Sequence, residues 1–382
     1  MRVLIVWFPA GLDIWGGGET VLSTILAANP IPNLEFMVAT FTNDMPDIKL
    51  PIFTGELCST MNYVLHHSFV YRRISYYNDL KRLSRSFRPD IVIQSGSCLF
   101  LPLTKLATSY SNSTLIYWDH GSLGRIFSNY HRNISDRLYK AVQRLLSKYA
   151  IQWADQYLCI SSGIAEIIKK LYPGADTDVI FNPVKFPDVP LELPENDTIN
   201  FIYVGRLDDD QKNISFILKC FSKISEMPWS LTIIGDGPDK NKLIRLASIL
   251  DIPNKVSFLP GRRNPFSAVK YRSILLLTSR YEGFPMVLVE ALSNGLPVIS
   301  SDCPTGPRDI VQNYINGLLY KEGESVEFLK LVTMLIDKKI SFKSSAELRE
   351  SIRSFSSDIV IRSFYKAVCK SCIETDDLEL VL

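Results

Sequence analysis

No apolar run in the 382-residue chain approaches a membrane span, which takes ~18 consecutive apolar residues. The seven cysteines are scattered and odd in number, which argues against a disulfide framework and fits a reducing cytoplasm. Cys369 and Cys372 form a Cys-x-x-Cys pair, but no second pair or nearby histidine supports zinc. They read as half-buried helix residues. An excess of charge of one sign is also missing: the formal net charge is +2, which argues against dedicated nucleic-acid binding. A signal peptide is not evident either. The opening "MRVLIVWFPAGLDIWGGG" is interrupted by Pro9 and Asp13 and has no small-residue cleavage site, so it reads as a buried first strand.

Apolar residues make up 46% and charged residues 21%, the balance of a soluble globular protein. The length suits two domains. Short runs rich in Ile, Val and Leu recur between amphipathic stretches. In the first half they are residues 3–8, 35–40, 90–94, 115–118 and 157–160. In the second half they are 200–204, 231–234, 255–259, 274–278 and 297–300. Strands buried on both faces of a parallel sheet have this composition. Helical stretches such as "ISFILKCFSKI" alternate with them. The alternation occurs twice, on either side of the proline-rich "FNPVKFPDVPLELPENDTIN" at 181–200. The expected fold is α/β: two doubly wound, Rossmann-like domains facing across a cleft. Residues 1–181 form the first, 182–199 the linker and 200–350 the second. A helical segment, 351–382, is expected to pack back toward the first. Ligands bind at the C-terminal ends of strands in such sheets, so functional residues should follow strands.

After the first strand comes "WGGGETV". Gly16, Gly17 and Gly18 either let an anion approach a helix N-terminus or form a flexible turn. Val21 stands where a dinucleotide fingerprint needs Gly or Ala, which counts against a dehydrogenase. His120 follows the strand ending at Trp118, beside Gly121. In "GRLDDDQKN", Gly205 ends a strand and Arg206 and Lys212 flank the loop. A planar fork and a compact charge suit a diphosphate; two solvated surface cations are the bland alternative. In "GDGP", Gly235 opens a tight turn whose backbone can approach a flat ligand. "SRYEGFPMVLVEALSNG" places Glu282 in a loop and Pro285 at the first helical position, with Gly295 as the helix stop. Residues 283–288 would present N–H groups and the positive end of the helix dipole to an anion. Glu290 sits a turn inside, among Val289, Ala291 and Leu292, where an idle carboxylate is costly.

Together these residues resemble the retaining glycosyltransferases of family 4, which have the GT-B fold. Glu282 and Glu290, seven residues apart with Gly-Phe-Pro after the first, match the family's Glu-x7-Glu. Gly205, Arg206, Leu207 and Lys212 match its Gly-Arg-Leu loop and lysine. Gly16 to Gly18 match its glycine loop, and His120 its N-domain histidine. "SDCPTGPRDIV" and "NGLLY" resemble the lipopolysaccharide-core 1,6-galactosyltransferases, which use UDP-galactose. The resemblance implies that Arg206 and Lys212 bind the donor diphosphate and that Glu290 accepts hydrogen bonds from the ribose. It implies that Glu282, with the backbone of Gly283 and Phe284, holds the donor sugar. His120 would contact that sugar from the other domain, Gly17 and Gly18 would complete the phosphate cradle, and Gly235 and 285–288 (Pro285, Met286, Val287, Leu288) would line the donor site. Asp208, Asp209 and Asp210 spell the Asp-x-Asp that holds a metal in another class of sugar transferases. The adjacent cations suit phosphate without metal, so no metal and no other cofactor is expected.

The expected partners are a UDP-sugar and a saccharide or glycolipid acceptor. Residues 71–89 carry six basic residues and one acidic one; residues 125–148 carry six more and only Asp136. Tyr, Phe and Leu are interleaved with these cations, as on a surface against an anionic membrane, or as on two solvated helices. The expected location is cytoplasmic, peripheral on the inner face of the cytoplasmic membrane. Close rivals are family 4 enzymes using UDP-glucose or UDP-N-acetylhexosamine for O-antigen, capsule or other lipid-linked glycans. More distant rivals are a nucleotide-sugar epimerase and a non-catalytic sugar-nucleotide-binding protein.

Overall fold

The computed structural model describes residues 1–7, 17–31, 34–40, 69–195 and 197–370. Gly16, Phe8, Pro9, Asp13 and Cys372 lie outside this set. The chain divides into two compact units. One comprises Met1–Phe127, Asn133–Pro183 and Ser357–Leu382; the other comprises Ser128–Arg132 and Val184–Ser356.

The first unit holds a parallel sheet of β1 (Arg2–Trp7), β2 (Glu35–Thr40), β3 (Ile91–Ser95), β4 (Thr114–Asp119), β5 (Gln156–Cys159) and β6 (Thr177–Val179), in the order β2-β1-β3-β4-β5-β6. Every residue of β3 is buried, as the Ile-Val-Ile run requires of a central strand covered on both faces. Its topological switch lies between β1 and β3. The helix Ser357–Cys369 packs in this unit: Tyr365 Oη donates to the Ile25 carbonyl at 2.9 Å, and Gln156 donates to the Ala367 carbonyl at 3.0 Å. Cys369 is fully buried rather than half-buried.

The second unit repeats the plan with β7 (Ile199–Val204), β8 (Trp229–Ile234), β9 (Val256–Leu259), β10 (Ser273–Leu277), β11 (Val298–Ser301) and β12 (Gly317–Tyr320). The order is β12-β11-β10-β7-β8-β9. Its core joins Phe201, Tyr203, Phe221, Trp229 and Phe328, with Phe221 edge-on to Trp229 at 4.7 Å. Connections from β7 and β10 leave in opposite directions, so the switch point falls between these neighbours. In open sheets of this kind ligands bind outside the C-terminal ends of the strands at such a point.

Candidate active site

The second unit's switch point gathers the loops that follow β7 and β10. After β7 come Gly205, Arg206 and the buried Leu207, then a single helical turn, Asp209–Lys212, with Asp208 before it. After β10 come Thr278, Ser279, Arg280 and Glu282. Thr278 Oγ1 donates to the Lys212 and Asn213 carbonyls at 2.9 and 3.1 Å. Arg280 fastens the same loop from its other side. One guanidinium nitrogen donates to the carbonyls of Asp209 and Asp210, at 2.6 and 2.7 Å, and the other to Asn213 Oδ1 at 2.6 Å. These hydrogen bonds tie the two loops together.

Fastened this way, Lys212 Nζ meets Glu282 Oε1 at 2.6 Å, with side chains 20% and 8% exposed. The sequence places these residues 70 apart, and no local pattern announces the pairing. Arg206 is half exposed and donates to Asp208 at 2.6 Å. The two expected phosphate cations are therefore not bare; each already has a carboxylate.

All three aspartates have protein donors. Asp208 takes Arg206. Asp209 accepts from the Ser215 N–H at 2.7 Å and lies 3.5 Å from Lys242 Nζ. Asp210 accepts from Tyr130 Oη at 2.5 Å and from Arg132. Burial pushes the Asp210 carboxyl up, but the Tyr130 hydroxyl and Arg132 outweigh it and hold it below the usual range. Among the described residues no cluster of three His, Cys, Asp or Glu side chains is placed to hold a metal.

The helix after the Gly-Phe-Pro runs Met286–Ser293, with Pro285 as its cap residue. Pro285 thus stands one position earlier than the first helical residue expected of it. Phe284 is buried, its ring 5.4 Å from that of Phe355, so the ring serves packing in this unit. Two residues shape this loop from a distance. Thr305 Oγ1 donates to the Glu282 carbonyl. Gly306, at φ +94°, lies so close that a Cβ would stand 2.5 Å from Pro285 Cδ and 3.0 Å from the Gly283 carbonyl. Leu288 is fully buried beneath the loop, while Met286 and Val287 are half exposed.

Glu290 lies one turn further on and borders a cavity of about 300 Å³. Arg263, Asn264, Pro265 and Phe266, which follow β9, form part of its wall, as do Ser293 and Asn294. Burial pushes the Glu290 carboxyl up. Gly235 and Gly237 have a reason that needs no ligand. A Cβ on Gly235 would stand 1.9 Å from the Gly205 carbonyl, and one on Gly237 would stand 2.5 Å from that of Leu207.

In the first unit His120 follows β4. Its ring lies 4.9 Å from that of Trp7 and 4.3 Å from that of Trp118. Burial lowers its pKa to about 3, so the imidazole is neutral. Its Nε2 is buried without a hydrogen-bond partner among the described residues. The preceding Asp119 accepts from Tyr117 Oη at 2.9 Å and from the Gly121 N–H at 3.1 Å, which fixes the turn. Gly17 and Gly18 are not a loop ahead of the helix but the first two residues of the helix Gly17–Ala27. A Cβ on Gly18 would lie 3.2 Å from the Trp7 ring and 3.9 Å from His120 Nδ1.

Residues 15–186 match the family described as Glycosyltransferase Family 4, and residues 189–355 match Glycosyl transferases group 1. The lipopolysaccharide 1,6-galactosyltransferase of Escherichia coli K12 is 32% identical over 88% of this chain and 90% of its own. The chain belongs to glycosyltransferase family 4. The Salmonella typhimurium lipopolysaccharide 1,6-galactosyltransferase is 31% identical to this glycosyltransferase, over 95% and 98% of the two chains. Among solved structures, the lipopolysaccharide outer core galactosyltransferase WaaB in its apo form superposes with a TM-score of 0.79. It is 27% identical and covers 97% of this chain and all of that one. The glycosyltransferase thus has the GT-B fold. Anabaena HepE in complex with UDP shares that fold at 17% identity, with a TM-score of 0.72 over 97% of this chain and 100% of its own.

Several residues that shape the glycosyltransferase's site carry no local signal. Arg280, Thr305 and Gly306 act through contacts across the sequence. The wall at 263–266 follows an edge strand in a polar stretch without a recognisable motif.

Proposed function

We propose that this glycosyltransferase moves galactose from UDP-galactose to a sugar of the lipopolysaccharide core, with retention at the anomeric carbon. The Lys212–Glu282 pair at the β7/β10 switch point, with Arg206 beside it, carries this reading. It joins a diphosphate-binding cation to a carboxylate that suits sugar hydroxyls. The names of the two enterobacterial relatives support the donor sugar and the acceptor.

Transfer breaks the C1–O bond to the β-phosphate, and the electron pair leaves with UDP. An acceptor hydroxyl oxygen forms the new bond to C1 on the same face, and its proton passes to the departing phosphate. Charge grows on the leaving group, so donors already fixed there act mainly on the transition state. Arg206, Lys212 and the backbone N–H groups at the start of the helix Met286–Ser293 are those donors. Gly17 and Gly18 complete the phosphate cradle. Glu282 orients the sugar, and His120 holds a sugar hydroxyl as a neutral imidazole. Glu290 accepts from the ribose, with the nucleoside in the cavity it borders.

The enzyme works without a metal in this reading, since Asp208, Asp209 and Asp210 already have protein donors. No helix among the described residues is long and apolar enough to cross a membrane. The acceptor is a glycolipid, and the protein attaches peripherally to the inner face of the cytoplasmic membrane.

A panel of UDP-sugars, incubated with core-truncated lipopolysaccharide in excess EDTA, tests this. Galactose should be transferred, with the α-anomer identified by NMR. Preferred transfer of another sugar, or galactose–glucose interconversion without acceptor, would refute it. Loss of activity in EDTA that manganese restores would return the Asp-x-Asp run to a metal role.

Glu290 sets a pH dependence. The carboxylate accepts hydrogen bonds, and burial raises its pKa. Donor affinity is therefore expected to weaken as pH falls, with a midpoint above the ordinary glutamate range. Calorimetric titration of UDP across pH should show it, and Glu290→Gln should bind more weakly without that midpoint. An unchanged profile in the variant would remove Glu290 from the nucleoside.

A further inference from the structure

One helix of the first unit is turned inside out. In Ile134–Ala150 the buried residues are Lys140, Ser147 and Ala150. Its large apolar side chains face solvent instead. Ile134, Leu138, Val142, Leu145 and Tyr149 are 78, 63, 55, 58 and 62% exposed. Tyr139 and Leu146 widen the row. At ~100° per residue these side chains span about 140° of the helix circumference. Arg137 and Lys148, both exposed, border one edge of that arc. Trp153, 42% exposed, follows in the next turn. A contiguous apolar surface of this kind on a soluble protein marks an interaction site.

The charges select the occupant. Against a second copy, two such helices can pair antiparallel about a two-fold axis perpendicular to them. Arg137 of one would then meet Lys148 of the other, a like-charge contact that opposes association. Against an anionic lipid leaflet the same cations are attracted, while the apolar row enters the acyl boundary. At 17 residues the helix is ~25 Å long; lying flat, it suits the leaflet plane. Trp favours that interface as well.

We propose that the helix Ile134–Ala150 is an in-plane membrane anchor, its apolar row inserted and its Arg137–Lys148 edge on anionic headgroups. The proposal rests on the glycolipid-acceptor reading and names the element that engages the bilayer. It differs from attachment through the basic helix Phe69–Phe87 by adding an apolar component that salt does not screen.

The test is co-sedimentation with vesicles of phosphatidylglycerol and phosphatidylethanolamine, at low and high salt. Wild type should bind at low salt and keep a measurable bound fraction at high salt. Leu138→Glu combined with Leu145→Glu should lower binding by about tenfold or more at both. Arg137→Gln with Lys148→Gln should lower it chiefly at low salt. Both sites are exposed, so melting temperatures should match wild type, and UDP binding should be unchanged. Equal sedimentation of wild type and the Leu138/Leu145 variant overturns the anchor. So does a wild-type dimer, seen by analytical ultracentrifugation, that the same variant dissociates while vesicle binding persists. Transfer to a detergent-solubilised acceptor is read separately: its failure in wild type counts against the proposed function, not the anchor.

Discussion

Replacing Lys212 by alanine is expected to lower kcat/KM roughly 10- to 150-fold, the range for losing a charge-assisted hydrogen bond of about 1.5–3 kcal/mol. The fall should appear in kcat at least as strongly as in KM, because the contact strengthens as charge develops on the leaving group. A second effect accompanies it. Glu282 is 8% exposed and loses its 2.6 Å partner. Breaking a buried pair on one side costs about 3–5 kcal/mol of stability, so the variant should also melt at a lower temperature. Lys212→Ala combined with Glu282→Gln separates the two: the double variant should recover much of the stability and none of the rate. Initial rates of galactosyl transfer together with thermal melting provide the measurement. Turnover within twofold of wild type would remove Lys212 from the chemistry.

Gly235→Ala is expected to abolish folding or to destabilise the second unit by about 4 kcal/mol or more, beyond the ordinary range for one substitution. The new methyl would stand 1.9 Å from the Gly205 carbonyl. Gly205 cannot withdraw easily, since its N–H donates to the Ile234 carbonyl at 3.1 Å. Gly323→Ala is a suitable control, because a Cβ there meets nothing within 4 Å. Its cost should be confined to the backbone strain of φ +79°, about 1 kcal/mol or a little more. Urea unfolding of the two variants compares them. Equal midpoints would mean that the loops after β7 and β8 are free to separate.

Ten of the twelve strands among the described residues are legible as short apolar runs bounded by breakers. The two that are not, β6 and β12, have specific reasons. Thr177–Val179 is three residues long and partly exposed at a sheet edge, so it lacks the apolar run that marks a central strand. Gly317–Tyr320 is brief and opens on a glycine, which reads as a turn. In the site, the Glu282 loop and the Glu290 helix are legible because cap, proline and carboxylates are consecutive. The Lys212–Glu282 pairing is not, since it exists only once β7 and β10 lie side by side. Gly306 looks like any turn glycine until Pro285 is placed against it. In the helix Ile134–Ala150 the period is readable, but not the face that turns outward. Periodicity reports that a helix is two-sided; only the packing of Lys140 and Ser147 reveals which side is inside.

Glu282 gives Lys212 a resident counter-ion. On the proposed function, a diphosphate arriving at Lys212 would not meet a bare cation; it would take the place of an anion already 2.6 Å away. Binding is then an exchange of counter-ions more than a gain of one, and it should fall less steeply with ionic strength than binding at an open lysine. Such an exchange would also disfavour inorganic phosphate and other small anions, which must displace Glu282 without offering it anything in return. A nucleotide sugar gives the displaced carboxylate hydroxyl groups to hold. In the proposed function the pair would thus act as a selectivity filter at rest and as part of the catalytic apparatus once the right ligand has split it.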